Sequence, residues 1–477
     1  MTKLVIVWII LMASSINMKA QKQTADREPF IRLAEIEVYP QHWDEFLALA
    51  REVSQTSMKE EAGVISILPM QVEGKHEVRV LEIYADTAAY KHHIGTVHFL
   101  SYKELSKPMV RSLRLMNVDA LEAEALVGFF RKQVSAPTSL EHVITVEEHF
   151  IIPSISAKVM AWQTKQNGGN QPVGEVQRKL MKIVLPTNED IAEIGERRLK
   201  FMDEAGITMQ VLSYGAGSPQ NITDKALAIK LCREANDRLA ELIAQHPDRF
   251  AGFALLPMVD PMAAADELER SVRKLGFKGA MLNGSFNGRL FDAEEFYPIY
   301  ERAEALGVPL FMHPAIIAPD VARYYYQSDA WSPVAGAMFA MAGYGWHLDS
   351  GITVLRMIMS GLFERYPKLQ IISGHWGELV PFYLNRLDDQ QSKTLTLPKK
   401  ISDYYRSNIY ITSSGLFSEA QLRYAIDVVG ADRIIYSGDY PFLIDRNTRG
   451  FLEQAGISDE DKAKIAYRNA ERLFFAH

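Results

Sequence analysis

The sequence predicts an α/β chain in two unlike parts, a (β/α)8 TIM barrel preceded by a small ferredoxin-like α+β domain. Three observations predict it. After residue 143, eight short apolar runs alternate with long helical patterns, the βα repeat of a parallel sheet. Before residue 127 the order is instead β-α-β-β-α-β, with strands that alternate apolar and charged residues. Histidines and acids directly follow several of the eight runs, on the face where barrels place their chemistry. Composition agrees: of 477 residues, 48% are apolar and 23% charged, which excludes a disordered or collagen-like chain. With 52 Lys+Arg against 59 Asp+Glu, the net charge of −7 argues against a nucleic-acid partner. The one cysteine, Cys232, rules out an intrachain disulfide and sits in a helical pattern as a small buried hydrophobe.

The chain opens with Lys3, an apolar run from Leu4 to Met12, and then small and polar residues up to Ala20. This order predicts a cleavable secretory signal over residues 1–20, cut after Ala20, and a periplasmic or secreted mature protein. An uncleaved N-terminal anchor is the alternative for the same segment. No later stretch reaches eighteen uninterrupted apolar residues, so no stable membrane insertion is expected after cleavage.

From Ile31, Ala34, Ile36 and Val38 alternate with Glu35 and Glu37 as in a half-buried strand, which Pro40 ends. Trp43, Phe46, Leu47, Ala50 and Val53 follow at helical spacing. Gly63 opens a second strand, GVISILPM; EVRVLEIYA supplies a third. DTAAYKHHIGTVHFLSYKELSKPM predicts one or two helices, and a last strand is expected between Leu113 and Leu126. EAGVISILPM, LEIYADTAAYKHH and GTVHF make residues 29–127 resemble the antibiotic-biosynthesis-monooxygenase (ABM) family. That resemblance implies a domain that dimerises through its sheet, hence a homodimer or higher oligomer, and a family whose enzymes oxidise quinols or polyketides without a metal. His92, His93 and His98 are its polar candidates. Adjacent helical residues do not share a face, so these histidines are expected to satisfy local hydrogen bonds, and the domain to pair subunits. Residues 128–142, polar and broken by Pro137, predict the linker.

The eight barrel strands are expected at VITV (143–146), MQVLS (209–213), FALL (253–256), GAML (279–282), PLFM (309–312), QIIS (370–373), IYIT (409–412) and RIIYS (433–437). Glu147 and His149 follow the first run, Asn283 the fourth, His313 the fifth, His375 the sixth and Asp439 the eighth. Residues at i and i+2 of a strand point to one side, so Glu147 and His149 converge. A carboxylate and two imidazoles, with Asp439 as a further oxygen donor, suit Zn2+ or Mn2+, with Zn2+ the expected ion. No lysine ends the fourth strand, which favours one metal per chain over a pair bridged by a carbamylated lysine.

VEEHF, ANDRLAELIAQHPDRFAGFALLPMVDP, LGFKGAMLNG, PLFMHP, MSGLFERYPKLQIISGHWGELVPFYLNRLD and GADRIIYSGDYPF make residues 143–477 resemble the amidohydrolase-2 family, and most of all its nonoxidative aromatic-acid decarboxylases of the γ-resorcylate type. The resemblance implies Glu147, His149, His313 and Asp439 as metal ligands, His375 and Glu378 as catalytic groups beside the metal, and Asn283 and Arg386 as substrate-binding residues. The activity it implies is decarboxylation of a hydroxylated aromatic carboxylate, with Asp439 delivering the proton. The same residues also suit hydrolysis of an ester, lactone or C–C bond by a metal-bound water. A noncatalytic aromatic-acid binder is a third reading, against which the complete ligand set and His375 argue. The chain departs from the close decarboxylases at HPAII, where Ala315 stands in place of an arginine, and in a stretch carrying Trp331, Trp346 and His347, expected in a lid or pocket wall.

Overall fold

The computed structural model describes residues 29–61, 63–119, 140–166, 168 and 174–475. The segment expected as a signal and most of the expected linker lie outside them. The chain divides into two compact units, Met1–Ala136 and Pro137–His477.

In the first unit the alternating runs form β1 (Phe30–Val38), β2 (Val64–Gln71), β3 (Glu77–Tyr84) and β4 (Val110–Asn117), all antiparallel in the order β2-β3-β1-β4. That order is the ferredoxin-like one. The helix α1 (Trp43–Glu60) buries Phe46 and Ala50 against Ala34, Ile36, Val38, Val78 and Val80. The following helical stretch is two helices, α2 (Thr87–His93) and α3 (Val97–Ser106). Their N-termini are capped by the side chains of Asp86 and Thr96, which accept from the amides of Ala89 and Phe99. The last strand starts at Val110, ahead of the expected Leu113, because its extent is set by pairing along β1 from Arg32↔Asn117 to Val38↔Val110.

The second unit contains β5 (Ile144–Phe150), β6 (Met209–Tyr214), β7 (Phe250–Gly252), β8 (Ala280–Asn283), β9 (Leu310–His313), β10 (Ile371–Ser373), β11 (Ile409–Thr412) and β12 (Ile434–Ile435). They form parallel sheets β5-β6-β7 and β8-β9-β10-β11-β12. Single parallel bridges, Ala254↔Ala280 and Val146↔Ser437, join the two at both edges and close an eight-stranded barrel. The third strand begins at Phe250, ahead of the expected 253, and its run continues to the bridge at Ala254. Surrounding helices bury one apolar stripe each. The helix Lys225–Ile243, capped by Asp224, buries Ala228, Leu231, Cys232, Ala235 and Leu239. Leu140, within the expected linker, packs into the barrel core. No helix among the described residues is long and apolar enough to cross a membrane.

Candidate active site

The strands deliver their last residues to one end of the barrel, and there Glu147, His149 and His313 meet with their ligand atoms within 4.8 Å of one another. Nε2 of His313 lies 3.6 Å from Oε1 of Glu147, and Nε2 of His149 lies 3.2 Å from Oδ1 of Asp439. Glu147 Oε1 and His149 Nε2 are buried and have no hydrogen-bond partner among the described residues, whereas the remaining atoms of these groups are engaged. Oε2 of Glu147 accepts from the hydroxyls of Thr412, Ser437 and Ser414. Nδ1 of His313 donates to the carbonyl of Pro314 at 2.6 Å, which leaves the lone pair on Nε2. Nδ1 of His149 is 3.3 Å from the Ser213 hydroxyl. Buried donor atoms without partners are costly unless a ligand completes them.

The electrostatics point the same way. Burial pushes both Glu147 and Asp439 up to about 7. Burial, aided by the charges of Arg198 and His375, holds His149 down to about 3, and burial drives His313 well below the ordinary imidazole value. Two imidazoles kept neutral and two carboxyls in want of a cation fit one divalent ion.

Convergence of Glu147 and His149 does not come from plain strand alternation. Thr145 pairs with Gln210 and Glu148 with Leu212, so β5 carries one extra residue there, and Glu147 takes the left-handed φ of 65°. Asp439 likewise has φ 56°. Its position is fixed by Glu148, the neighbouring glutamate of VEEHF, whose two oxygens accept from the amides on either side of Asp439, Gly438 at 2.8 Å and Tyr440 at 3.1 Å. Arg198, fully buried, reaches the His149 carbonyl and the Gln210 side chain and lies over the Tyr440 ring. The sequence reasoning missed Glu148 and Arg198. The doubled acid in VEEHF was the available signal for the first; nothing in the helical run around Arg198 marked the second.

After β10, residues 375–379 form a left-handed turn, with φ of 47° at His375, 59° at Trp376, 78° at Gly377, 52° at Glu378 and 67° at Leu379. It brings Nδ1 of His375 to 2.8 Å from Oε1 of Glu378 and to 3.9 Å from Oε1 of Glu147. A Cβ on Gly374 would stand 3.1 Å from both Glu147 Oε1 and the Ser414 hydroxyl, so a larger residue there would press these two side chains apart. Burial opposes a charge on His375, but the carboxylates of Glu378, Glu147 and Asp439 outweigh it and push the imidazole up to about 10.

The chain that carries this cluster is similar to known proteins along most of its length. Residues 144–476 match the Amidohydrolase family model, and residues 29–105 match the Antibiotic biosynthesis monooxygenase model. The chain belongs to the amidohydrolase family. It is 41% identical over 295 residues to a gamma-resorcylate decarboxylase of Polaromonas sp. JS666, covering 60% of this chain and 88% of that protein. Among solved structures it is similar to a dihydroxybenzoic acid decarboxylase from Polaromonas sp. JS666 with bound manganese and the inhibitor 2-nitroresorcinol (34% identity, TM-score 0.59, 70% of this chain and 96% of that one). It is also similar to a 5-carboxyvanillate decarboxylase from Novosphingobium aromaticivorans complexed with manganese and 4-hydroxy-3-methoxy-5-nitrobenzoic acid (30% identity, TM-score 0.61, 70% and 96%).

The other predicted residues of this amidohydrolase fall in different places. Asn283 ends β8 opposite His313 of β9, at the level of the ligand cluster, and its backbone is held at both ends by the Gln220 side chain. Arg386 is exposed on the helix Leu384–Gln390, and no contact joins it to the cluster among the described residues. In the N-terminal unit, His93 and His98 both reach Oε1 of buried Glu61, at 2.8 and 2.7 Å, with the exposed His92 3.7 Å from Oε2. These are hydrogen-bond spacings, shorter than the 3.2–3.9 Å between groups of the barrel cluster. Glu61, which the sequence reasoning did not single out, is the hub that draws these histidines together.

Proposed function

We propose that this protein is a metal-dependent decarboxylase of a hydroxylated aromatic carboxylate, using one divalent ion per chain. The observation that carries the reading is the pair of partnerless buried donors, Glu147 Oε1 and His149 Nε2, facing Asp439 beside the His375–Glu378 pair. Glu147, His149, His313 and Asp439 hold the ion. The relatives with bound manganese, and a donor set of two carboxylates and two imidazoles, favour Mn2+ over the Zn2+ expected from ligand types alone. When bound, the ion supplies positive charge to the substrate carboxylate and its neighbouring hydroxyl oxygen.

Asp439, the group closest to His149 in the cluster, delivers a proton to the ring carbon that bears the carboxylate. The bond to the carboxylate then breaks, its electron pair restores the aromatic ring, and CO2 leaves. Asp439 is left ionised and regains its proton from solvent. Charged His375, oriented by Glu378, balances the negative charge that the substrate brings into the buried site. Asn283, paired in register with His313, is the neighbouring residue placed to bind the substrate.

Two further features belong to this reading. The protein is exported and cut near Ala20, which a mature chain starting at Gln21 by mass spectrometry checks. Copies pair through the first unit. In support, Leu68, Leu81, Leu33 and Met116 lie opposite one another in register across all four strands, an apolar row that is nowhere fully buried.

The decisive assay supplies 2,6-dihydroxybenzoate to the manganese-loaded protein and follows CO2. Release is expected from the natural chain and loss of it from His375→Ala. Turnover of esters or lactones with no CO2 from any hydroxybenzoate overturns the reading.

A further inference from the structure

His347 stands outside the ligand cluster, in the stretch where the chain departs from the close decarboxylases, at the start of the helix Gly345–Met359. Its Nδ1 is 2.9 Å from Oε2 of Glu378, and its ring packs edge-on to His375 with centroids 4.3 Å apart. Glu378 thus has one oxygen for each histidine, Oε1 for His375 and Oε2 for His347, and its side chain is fully buried. His375 and His347 are the only side-chain partners of that carboxylate among the described residues.

The proton on this contact is on His347. Nε2 of His347 is 3.0 Å from the indole Nε1 of Trp346, which only donates, so Nε2 accepts and Nδ1 carries the hydrogen. The other neighbour of Nε2 is the Ala342 carbonyl at 3.2 Å. An imidazolium donating to that carbonyl would again present Nδ1–H to Glu378. Both arrangements leave Glu378 accepting from two imidazoles, one on each oxygen.

We infer that His347 is a positioning residue for the decarboxylation: by holding Oε2 of Glu378 it fixes the carboxylate plane that orients His375. The geometry explains why a second donor is needed. His375 and Glu378 lie three residues apart on a left-handed turn, so the strand scaffold does not align them as it aligns Glu147 and His313. A carboxylate held by one oxygen turns about its terminal torsion, which is broad for Glu. Held at both, it has one orientation, and the His375 ring follows it.

This inference rests on the decarboxylase reading, and its test keeps the two apart. Asn carries an amide nitrogen at the δ position and Gln one at the ε position, so His347→Asn keeps the donor toward Glu378 and His347→Gln misplaces it. With manganese-loaded full-length protein and 2,6-dihydroxybenzoate, His347→Ala and His347→Gln should lower kcat by about 10-fold or more, leaving KM and manganese content within about 2-fold, and His347→Asn should recover most of kcat. Crystal structures should show the Glu378 carboxylate turned in the Ala and Gln variants and in place in the Asn variant. Unchanged kcat in His347→Gln, or equal kcat in the Asn and Gln variants with Glu378 unmoved, overturns the inference. If the natural chain releases no CO2, the decarboxylase reading falls, and the position of Glu378 in the variants still decides whether His347 holds it.

Discussion

Each group proposed as a metal ligand is held by a neighbour: His313 by Pro314, His149 by Ser213, Glu147 by three hydroxyls, and Asp439 through its two flanking amides, which donate to Glu148. The site is therefore set before an ion arrives, and its metal affinity should depend on pH in a defined sense. Burial keeps His149, at about 3, and His313, well below the ordinary imidazole value, in their neutral forms, so protons do not compete for them in the ordinary range. Glu147 and Asp439, each raised to about 7 by burial, must lose their protons on binding. Mn2+ affinity should hold above pH 7 and fall below it, by up to about 10-fold per pH unit for each carboxyl. Calorimetric titration with Mn2+ between pH 5.5 and 8 checks this; an affinity flat across that range would exclude these two groups as ligands.

At the level of elements, strand ends carry Glu147, His149 and His313, and the irregular residues just past other strands carry His375, Glu378 and Asp439. Five consecutive left-handed residues, 375–379, are unfavourable for all but glycine, by roughly 1–2 kcal/mol each. The surroundings compensate: the Ser414 hydroxyl accepts from the His375 amide, the Gly374 carbonyl from the Gly377 amide, and the Leu416 carbonyl from the Trp376 indole. Gly377 is the tightest point. Its φ is 78°, and an added Cβ would stand 2.3 Å from the Tyr405 hydroxyl oxygen. Gly377→Ala should lower the melting temperature by about 3 °C or more and reduce kcat by disturbing the His375–Glu378 spacing. Calorimetry and the CO2 assay measure the two effects; a variant unchanged in both would show that the turn is not under strain. None of this turn was legible in the sequence, because four of the five residues from His375 to Leu379 are types that ordinarily avoid positive φ.

For the whole molecule, the two units have separate cores, one around Phe46 and Val78 and the other filling the barrel from Leu140 to Phe474. The reactive groups all lie in the second. A chain beginning at Pro137 should therefore fold and release CO2 at a rate within about 3-fold of the full chain, while losing the self-association proposed for the first unit. Light scattering and the decarboxylation assay on both chains test this together. A barrel that fails to fold alone would show that the first unit completes it. Truncation should stop short of Leu140, whose amide and carbonyl are bonded to Glu453 and Arg449.

By itself the sequence determined the two-part architecture, all eight barrel strands and the strand-end residues Glu147, His149, His313 and Asp439, because hydrophobic periodicity and the position of polar residues after apolar runs are local properties. It also placed His375 and Glu378 together on one short segment. Only the tertiary structure decided how these groups are held. Glu148 clamps a loop 290 residues away, Arg198 reaches a strand carbonyl 49 residues back, Glu61 gathers histidines 32 and 37 residues on, and His347 meets Glu378 across 31. Such partners share no periodicity. They are chosen by chain closure in three dimensions, where a buried polar atom must find a mate wherever the fold brings one within about 3 Å.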